Sequence, residues 1–161
     1  MELYLRNIIF GVADSLVSTV GLLAGIAFSG VSTGTIILTG IIYAFVEAFS
    51  MAVGSFLSEE SAEEYAAQGK AADMHPLLGA VVMFVAFVVA SFIPIAPYLF
   101  VAASSALWIS IVASIAALFV VGAVSAHFTK AGLLARGIET ALLGRAAIAI
   151  GAVVGIFVQA A

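Results

Sequence analysis

Five long apolar segments, joined by shorter polar ones, account for most of the chain. A helix needs roughly 20 apolar residues to cross the hydrocarbon core of a bilayer, and each segment has about that length. The pattern therefore predicts an all-α, polytopic membrane protein in which residues 1–161 form a single transmembrane domain. We place the five spans at about 8–28, 36–57, 77–95, 107–126 and 142–158.

Polar segments and prolines separate these spans. An acidic link runs from Ser58 to Pro76, and a second polar link runs from His127 to Glu139. Pro94 and Pro97 close the third span, because proline clashes with the preceding turn of a helix. Glycines spaced four residues apart allow two helices to approach closely; the two such pairs that we note are Gly21 with Gly25 and Gly151 with Gly155.

Composition excludes a soluble globular domain. The hydrophobic fraction is 65%, the charged fraction is 9%, and the mean hydropathy is +1.30. A chain of 161 residues still has a large surface, so lipid must cover most of this apolar excess. The absence of cysteine excludes disulfides, thiolate metal sites and cysteine nucleophiles. The five Lys and Arg residues form no cluster, so we expect no nucleic-acid partner.

The basic residues predict the orientation. With five spans they all fall on one side of the membrane; they are Arg6, Lys70, Lys130, Arg136 and Arg145. The positive-inside rule then places the N-terminus in the cytoplasm and the C-terminus outside. The chain shows no targeting extension, which favours a prokaryotic plasma membrane over the vacuolar or organellar membrane of a eukaryote.

Two carboxylates lie inside spans, Asp14 in the first and Glu47 in the second. An Asp near the centre of a membrane helix costs about 2.5–3.5 kcal/mol on insertion scales, so such residues usually face a bundle interior, a water-filled cavity or a cation. The alternative is an acid that is protonated or hydrogen-bonded and only fixes helix packing. Two such acids favour a path for ions or protons.

An estimate of depth in the membrane places a third residue, Met51, in the same region as the two acids. With a rise of about 1.5 Å per residue, Asp14 lies roughly 12 Å from the cytoplasmic face, counted from Arg6. Met51, counted from Glu59, lies at the same depth, and Glu47 lies one turn deeper on the same helix face. Carboxylate oxygens with a thioether favour iron, cobalt or copper over magnesium or calcium. The alternative for Met51 is ordinary packing.

The acidic link is a further candidate. Four of the nine acids lie in it at helical spacing; they are Glu59, Glu60, Glu63 and Glu64. This cluster of acids indicates either a cation-attracting entrance to an ion path or a solvated helical link. Asp73, Met74 and His75 add possible ligands before the third span. Sequence signatures of hydrolases, zinc proteases and nucleotide-binding loops are absent, so we expect no enzyme.

These residues also resemble a known family. The run RNIIFGVADSLVSTVGLLAG, from Arg6 to Gly25, resembles the first span of the vacuolar iron transporters, and EAFSMAVGSFLS, from Glu47 to Ser58, resembles the end of their second span. The segment from Leu77 to Tyr98 looks like their third span, and that from Ala117 to Ala123 like their fourth. The likeness covers nearly the whole chain in the expected order.

The resemblance implies a five-span homodimer that exports Fe²⁺ from the cytosol in exchange for protons. It implies a translocation path at the dimer axis, lined by spans one and two. The membrane Asp of the family matches Asp14, and the acid and methionine of its second span match Glu47 and Met51. We therefore expect a metal-ion antiporter that carries Fe²⁺. The alternatives are a transporter of Mn²⁺ or another divalent metal, and a membrane scaffold subunit that transports nothing.

Two departures from the family pattern stand out. Many members have Gly-Glu-Tyr-Leu-Ser where this chain has GSFLS, so Ser55 stands in place of an acid and one cytoplasmic ligand or proton group could be lost. Well-studied members also carry a long, Glu- and Met-rich cytoplasmic metal-binding domain between spans two and three. Here only residues 58–76 occupy that place, and their four glutamates could be its remnant.

Overall fold

The computed structural model describes residues 2–67, 76–129 and 132–160 as a helical bundle. The helices are α1 (Glu2–Phe28), α2 (Thr33–Ala67), α3 (Pro76–Ile95), α4 (Pro97–Phe100), α5 (Ala103–Thr129) and α6 (Leu133–Ala160). Among the described residues, five helices are long and apolar enough to cross a membrane, namely all but the short α4. The predicted fold class is therefore confirmed.

Local sequence explains where the helices start and stop. Gly30 follows α1 with a φ of +74°, a left-handed conformation that glycine adopts without a steric penalty. The Ser32 hydroxyl accepts a hydrogen bond of 3.2 Å from the backbone N–H of Thr35 and so caps α2. Proline opens both α3 and α4, where its missing N–H is not needed.

Every long helix extends beyond the span that hydropathy predicts, α3 by a single residue. Helix α2 continues through residues 58–67, so the first part of the predicted acidic link is helical. Helices α5 and α6 likewise take up most of the predicted link from His127 to Glu139. Hydropathy marks where lipid contact ends, whereas Glu, Ala and Arg continue a helix well into water. The links between the spans are therefore largely helical where the structure describes them.

Arg145 is placed differently from the prediction. It was expected at the start of the fifth span, but it lies well inside α6. Ala147, two residues further along, packs against Gly21 of α1, so Arg145 lies near the depth of Gly21. Hydropathy missed this because Arg136 and Glu139 lowered the apolar signal of the first turns of α6. Of the basic residues that the structure describes, Arg6 and Arg136 lie near the ends of their helices, and the orientation in the membrane stays a prediction.

Helix α1 occupies the centre of the bundle. It packs mainly on α3 and α6 and more lightly on α2. Its fully buried residues alternate between apolar and small polar side chains, which hydrogen-bond within the bundle as is common between membrane helices. The Ser15 hydroxyl, for example, bonds the Ser91 hydroxyl and the Phe87 carbonyl of α3, each at 2.8 Å.

The contact between α1 and α6 is made by glycine. A Cβ on Gly151 would overlap the carbonyl oxygen of Gly21, and one on Gly155 would overlap that of Gly25. The two backbones therefore touch, as the glycine spacing predicts, and no side chain fits between them. We refer to Gly21, Gly25, Gly151 and Gly155 as the glycine seam.

The glycine seam makes a specific prediction about stability. Gly151→Ala should lower the free energy of unfolding by about 1–3 kcal/mol, because the added methyl group forces α1 and α6 apart. Thermal unfolding of the purified protein in detergent measures the effect. Gly34→Ala is the matched control, since a Cβ there meets no atom closer than 3.9 Å. Equal melting temperatures for the two variants would contradict the prediction.

Candidate metal site between the first two long helices

The register between α1 and α2 is fixed by polar contacts at one end of the bundle. The guanidinium of Arg6 lies 3.4 Å from Oε1 of Glu59, and Nδ2 of Asn7 donates to the Ser55 hydroxyl at 3.3 Å. The two helices are antiparallel, and Arg6 and Glu59 lie at the same level. The depths of Asp14 and Met51 were counted from this pairing. In the structure Asp14 lies within electrostatic reach of Glu47, whereas Met51 lines a groove with Arg6 and Asn7.

Further into the bundle, Asp14 and Glu47 are both partly buried and lie within electrostatic reach of each other. The Tyr43 hydroxyl makes a polar contact with Ser18 and is within electrostatic reach of both acids. Since Asp14 and Ser18 are four residues apart, as are Tyr43 and Glu47, each helix contributes two neighbouring polar side chains. We call these four residues the acid-pair site.

Met51 lines a groove beside α1 and α2 that has a volume of about 420 Å³. The polar residues Asn7, Ser50 and Ser55 share this groove, and α3 contributes a second thioether, Met83. The groove thus offers two soft sulfur atoms and several hydroxyl or amide groups. It lies along the first two long helices between the Arg6–Glu59 contact and the acid-pair site.

The four glutamates at the end of α2 do not form one surface. Glu60 and Glu64 are exposed, whereas Glu63 is partly buried and Glu59 is only 2% exposed. Oε1 of Glu59 accepts hydrogen bonds of 2.8 Å from both Asn7 Nδ2 and Ser55 Oγ. Glu59 therefore does not fit the alternative of a solvated link, because α1 and α3 pack against that side of α2.

No three His, Asp or Glu side chains cluster closely enough to hold a metal ion within the parts of the chain that the structure describes. The candidate ligands Asp73, Met74 and His75 lie outside the described residues. The acid-pair site therefore offers two carboxylates per chain, and a full coordination shell needs water, other donor types or a second subunit.

Comparison with models of protein families shows to which family the chain belongs. The model of the VIT family matches residues 5–73 and 62–156, which together cover almost the whole chain. The chain belongs to the VIT family. The match supports the resemblance to the vacuolar iron transporters, since the same helices carry the motifs. A search of curated proteins finds no match.

VIT family membership implies transport of metal ions across a membrane, and VIT proteins are transporters rather than enzymes. The five apolar helices agree with a multi-pass location in the membrane. The acid-pair site and the groove with Met51 are the places in the described structure where carboxylate and thioether donors meet between helices.

Four residues of this region were not singled out in the sequence. Ser18 and Tyr43 could have been found, because each lies one helical turn from a membrane acid. Asn7 was harder to identify from the sequence, because its only distinguishing feature is that it is a polar residue next to Arg6. Nothing in the sequence distinguishes Met83, which is 3% exposed, from a methionine that only fills space in the core.

Asn7 should contribute to stability through its contact with Glu59. Asn7→Ala should lower the free energy of unfolding by about 1–3 kcal/mol, because a buried carboxylate loses a hydrogen-bond donor. The measurement is thermal unfolding in detergent. Ser58→Ala, which changes an exposed hydroxyl on the groove, serves as the control and should melt like the unmodified protein. An Asn7 variant that melts like this control would disprove the assigned role.

Proposed function

We propose that this VIT protein is a proton-coupled Fe²⁺ exporter that works as a homodimer, with its path between the α1 and α2 helices of two subunits. The observation that supports the proposal is that Asp14 and Glu47 are partly buried on these helices within electrostatic reach of each other. Two acidic side chains are tolerated inside a membrane when a cation or a proton compensates their negative charge.

The polar face of α2 supports a dimer. Ser50 and Gly54 are exposed on the same helix as Glu47, and a Cβ on Gly54 would meet no atom within 4 Å. Lipid cannot satisfy polar groups, so a polar strip at membrane depth needs a protein or water neighbour. A second copy related by a two-fold axis would cover the strip. It would also bring four carboxylates together, two from each subunit.

The chemistry of transport follows from the charges. In the proposed mechanism, Asp14 and Met51 bind the dehydrated or partly hydrated ion, and Glu47 carries it across the midplane and then takes a proton in its place. Neighbouring carboxylates repel, so a cation or a proton at the pair relieves the same repulsion. This shared preference is the physical basis for exchanging a metal ion against protons.

Ligand softness suggests the metal. The thioether of Met51 favours Fe²⁺ over Mg²⁺ or Ca²⁺, while Mn²⁺ remains the alternative substrate. On the proposed cytoplasmic side, the exposed Glu60 and Glu64 would raise the local concentration of cations near the mouth of the path.

Flux measurements test the central proposal. Protein reconstituted in liposomes with a pH gradient should move Fe²⁺ and counter-move protons, and Asp14→Asn should abolish both while leaving the melting temperature nearly unchanged. Glu139→Gln is the control, because Glu139 is an exposed acid that pairs with Arg136 far from the acid pair in sequence. A scaffold subunit would show no flux in any form and would lose stability on the Asp14 change.

Metal preference tests the role of Met51. Met51→Leu keeps the volume of the side chain but removes the sulfur, so the ratio of Fe²⁺ to Mn²⁺ transport should fall. Competition between the two ions in the same vesicles measures this ratio directly, and the Mn²⁺ rate of the variant reports whether the fold and the path survive. An unchanged ratio would remove Met51 from the list of ligands.

A further inference from the structure

Arg145 is a charged side chain at membrane depth that the proposed function does not use. It is exposed on α6, and among the described residues it forms no hydrogen bond or ion pair. The contact of Ala147 with Gly21 places Arg145 well inside the span. A guanidinium keeps its positive charge in proteins, and lipid tails do not stabilise that charge, so Arg145 needs a neighbour that does.

The acids at this depth do not serve as that neighbour. Asp14 and Glu47 belong to α1 and α2, and α6 turns Ala147 toward α1. Arg145 precedes Ala147 by two positions, which is about 200° around a helix, so it points away from α1 and toward the surface that lipid covers. A two-fold contact between the α6 helices of two subunits would bring Arg145 only to a second arginine.

A groove of about 230 Å³ starts at Arg145 and runs between α5 and α6. These helices are antiparallel, since Gly122 faces Arg136 while Leu118 faces Gly144. Apart from Arg145, the groove is apolar along its length. Ile148, Ala149 and Ala152 line it on α6, and Ile115, Ile111 and Trp108 line it on α5.

The charged end of the groove is the end nearer to water. Arg136 and Glu139 form an exposed ion pair of 3.0 Å near the start of α6. Arg145 lies six positions beyond Glu139, about 9 Å along the helix axis. Side chains lean toward the N-terminus of their helix, so the long side chain of Arg145 spans much of this distance. The groove runs the opposite way, deeper into the hydrocarbon.

We propose that Arg145 and this groove bind an anionic phospholipid. The guanidinium donates two hydrogen bonds to phosphate oxygens, and one acyl chain lies along the apolar groove. The positive charge favours an anionic over a zwitterionic lipid, as in other basic pockets between membrane helices. Helices α1 and α6 run parallel along the glycine seam, so the lipid comes from the leaflet at the end where Arg6 meets Glu59.

Lipid binding to the purified, full-length protein tests this proposal. Native mass spectrometry of protein released from detergent counts bound phosphatidylglycerol and phosphatidylcholine that carry identical acyl chains. The unmodified protein should prefer phosphatidylglycerol, and Arg145→Gln should weaken its binding by about tenfold or more while phosphatidylcholine binding stays nearly unchanged. Arg136→Gln is the matched control, because it removes the same charge from an exposed position of the same helix.

The groove is tested separately from the charge. Ala149→Phe places a ring in the groove at an exposed position, so it should weaken phosphatidylglycerol binding although Arg145 is intact. Ala116→Phe adds the same ring to an exposed position of α5 that does not line the groove, and it should bind lipid as the unmodified protein does. The melting temperature in detergent checks that each variant is folded.

The outcomes decide between a lipid and other roles of Arg145. Phosphatidylglycerol binding that survives Arg145→Gln, or that falls equally in Arg136→Gln, overturns the site. Unchanged lipid binding with a smaller oligomer in Arg145→Gln, seen by analytical ultracentrifugation, would assign the arginine to a contact between copies and also overturn it. If Arg145→Gln unfolds, Ala149→Phe carries the test, and equal binding by Ala149→Phe and Ala116→Phe overturns the site. None of these outcomes depends on metal flux, so the transport proposal is tested independently.

Discussion

Negative charge in a medium of low dielectric constant is the constraint around which this bundle is organised. Every carboxylate that leaves water must find donors, a cation or a proton, and the first two long helices carry three that are buried or partly buried. Asp14 and Glu47 lie within electrostatic reach of each other on α1 and α2, and Glu59 accepts a hydrogen bond from Asn7. The remaining acids at the end of α2 stay largely in water or at its edge, where their charge costs little.

The antiparallel pairing of α1 and α2 arranges these groups in levels. The first level holds Glu59 with its donors, the second holds the groove with two methionines, and the third holds the acid pair with its two hydroxyl neighbours. Each level differs in chemistry, from hard oxygen ligands through soft sulfur to a charged pair. Along the proposed path a metal ion would exchange ligands gradually, so no single step would have to strip it of all coordination at once.

Sequence reasoning reached the five candidate spans, because hydropathy is a property of single helices. Sequence reasoning failed for residues whose burial or depth depends on a neighbouring helix. The burial of Glu59 depends on α1 and α3, and the depth of Arg145 depends on how α6 packs against Gly21. The ends of α2 and α6 were missed for a different reason, since a helix continues into water on backbone propensity after its apolar face has ended.

The glycine seam has a mechanical consequence. Where two backbones touch, neither helix can rotate or slide without losing that contact, so α1 is clamped to α6 along Gly21 and Gly25. Helix α2 rests on α3 and touches α1 only lightly. A change in the spacing of Asp14 and Glu47 that preserves the α1–α6 contact would therefore require α2 to move while α1 stays in place.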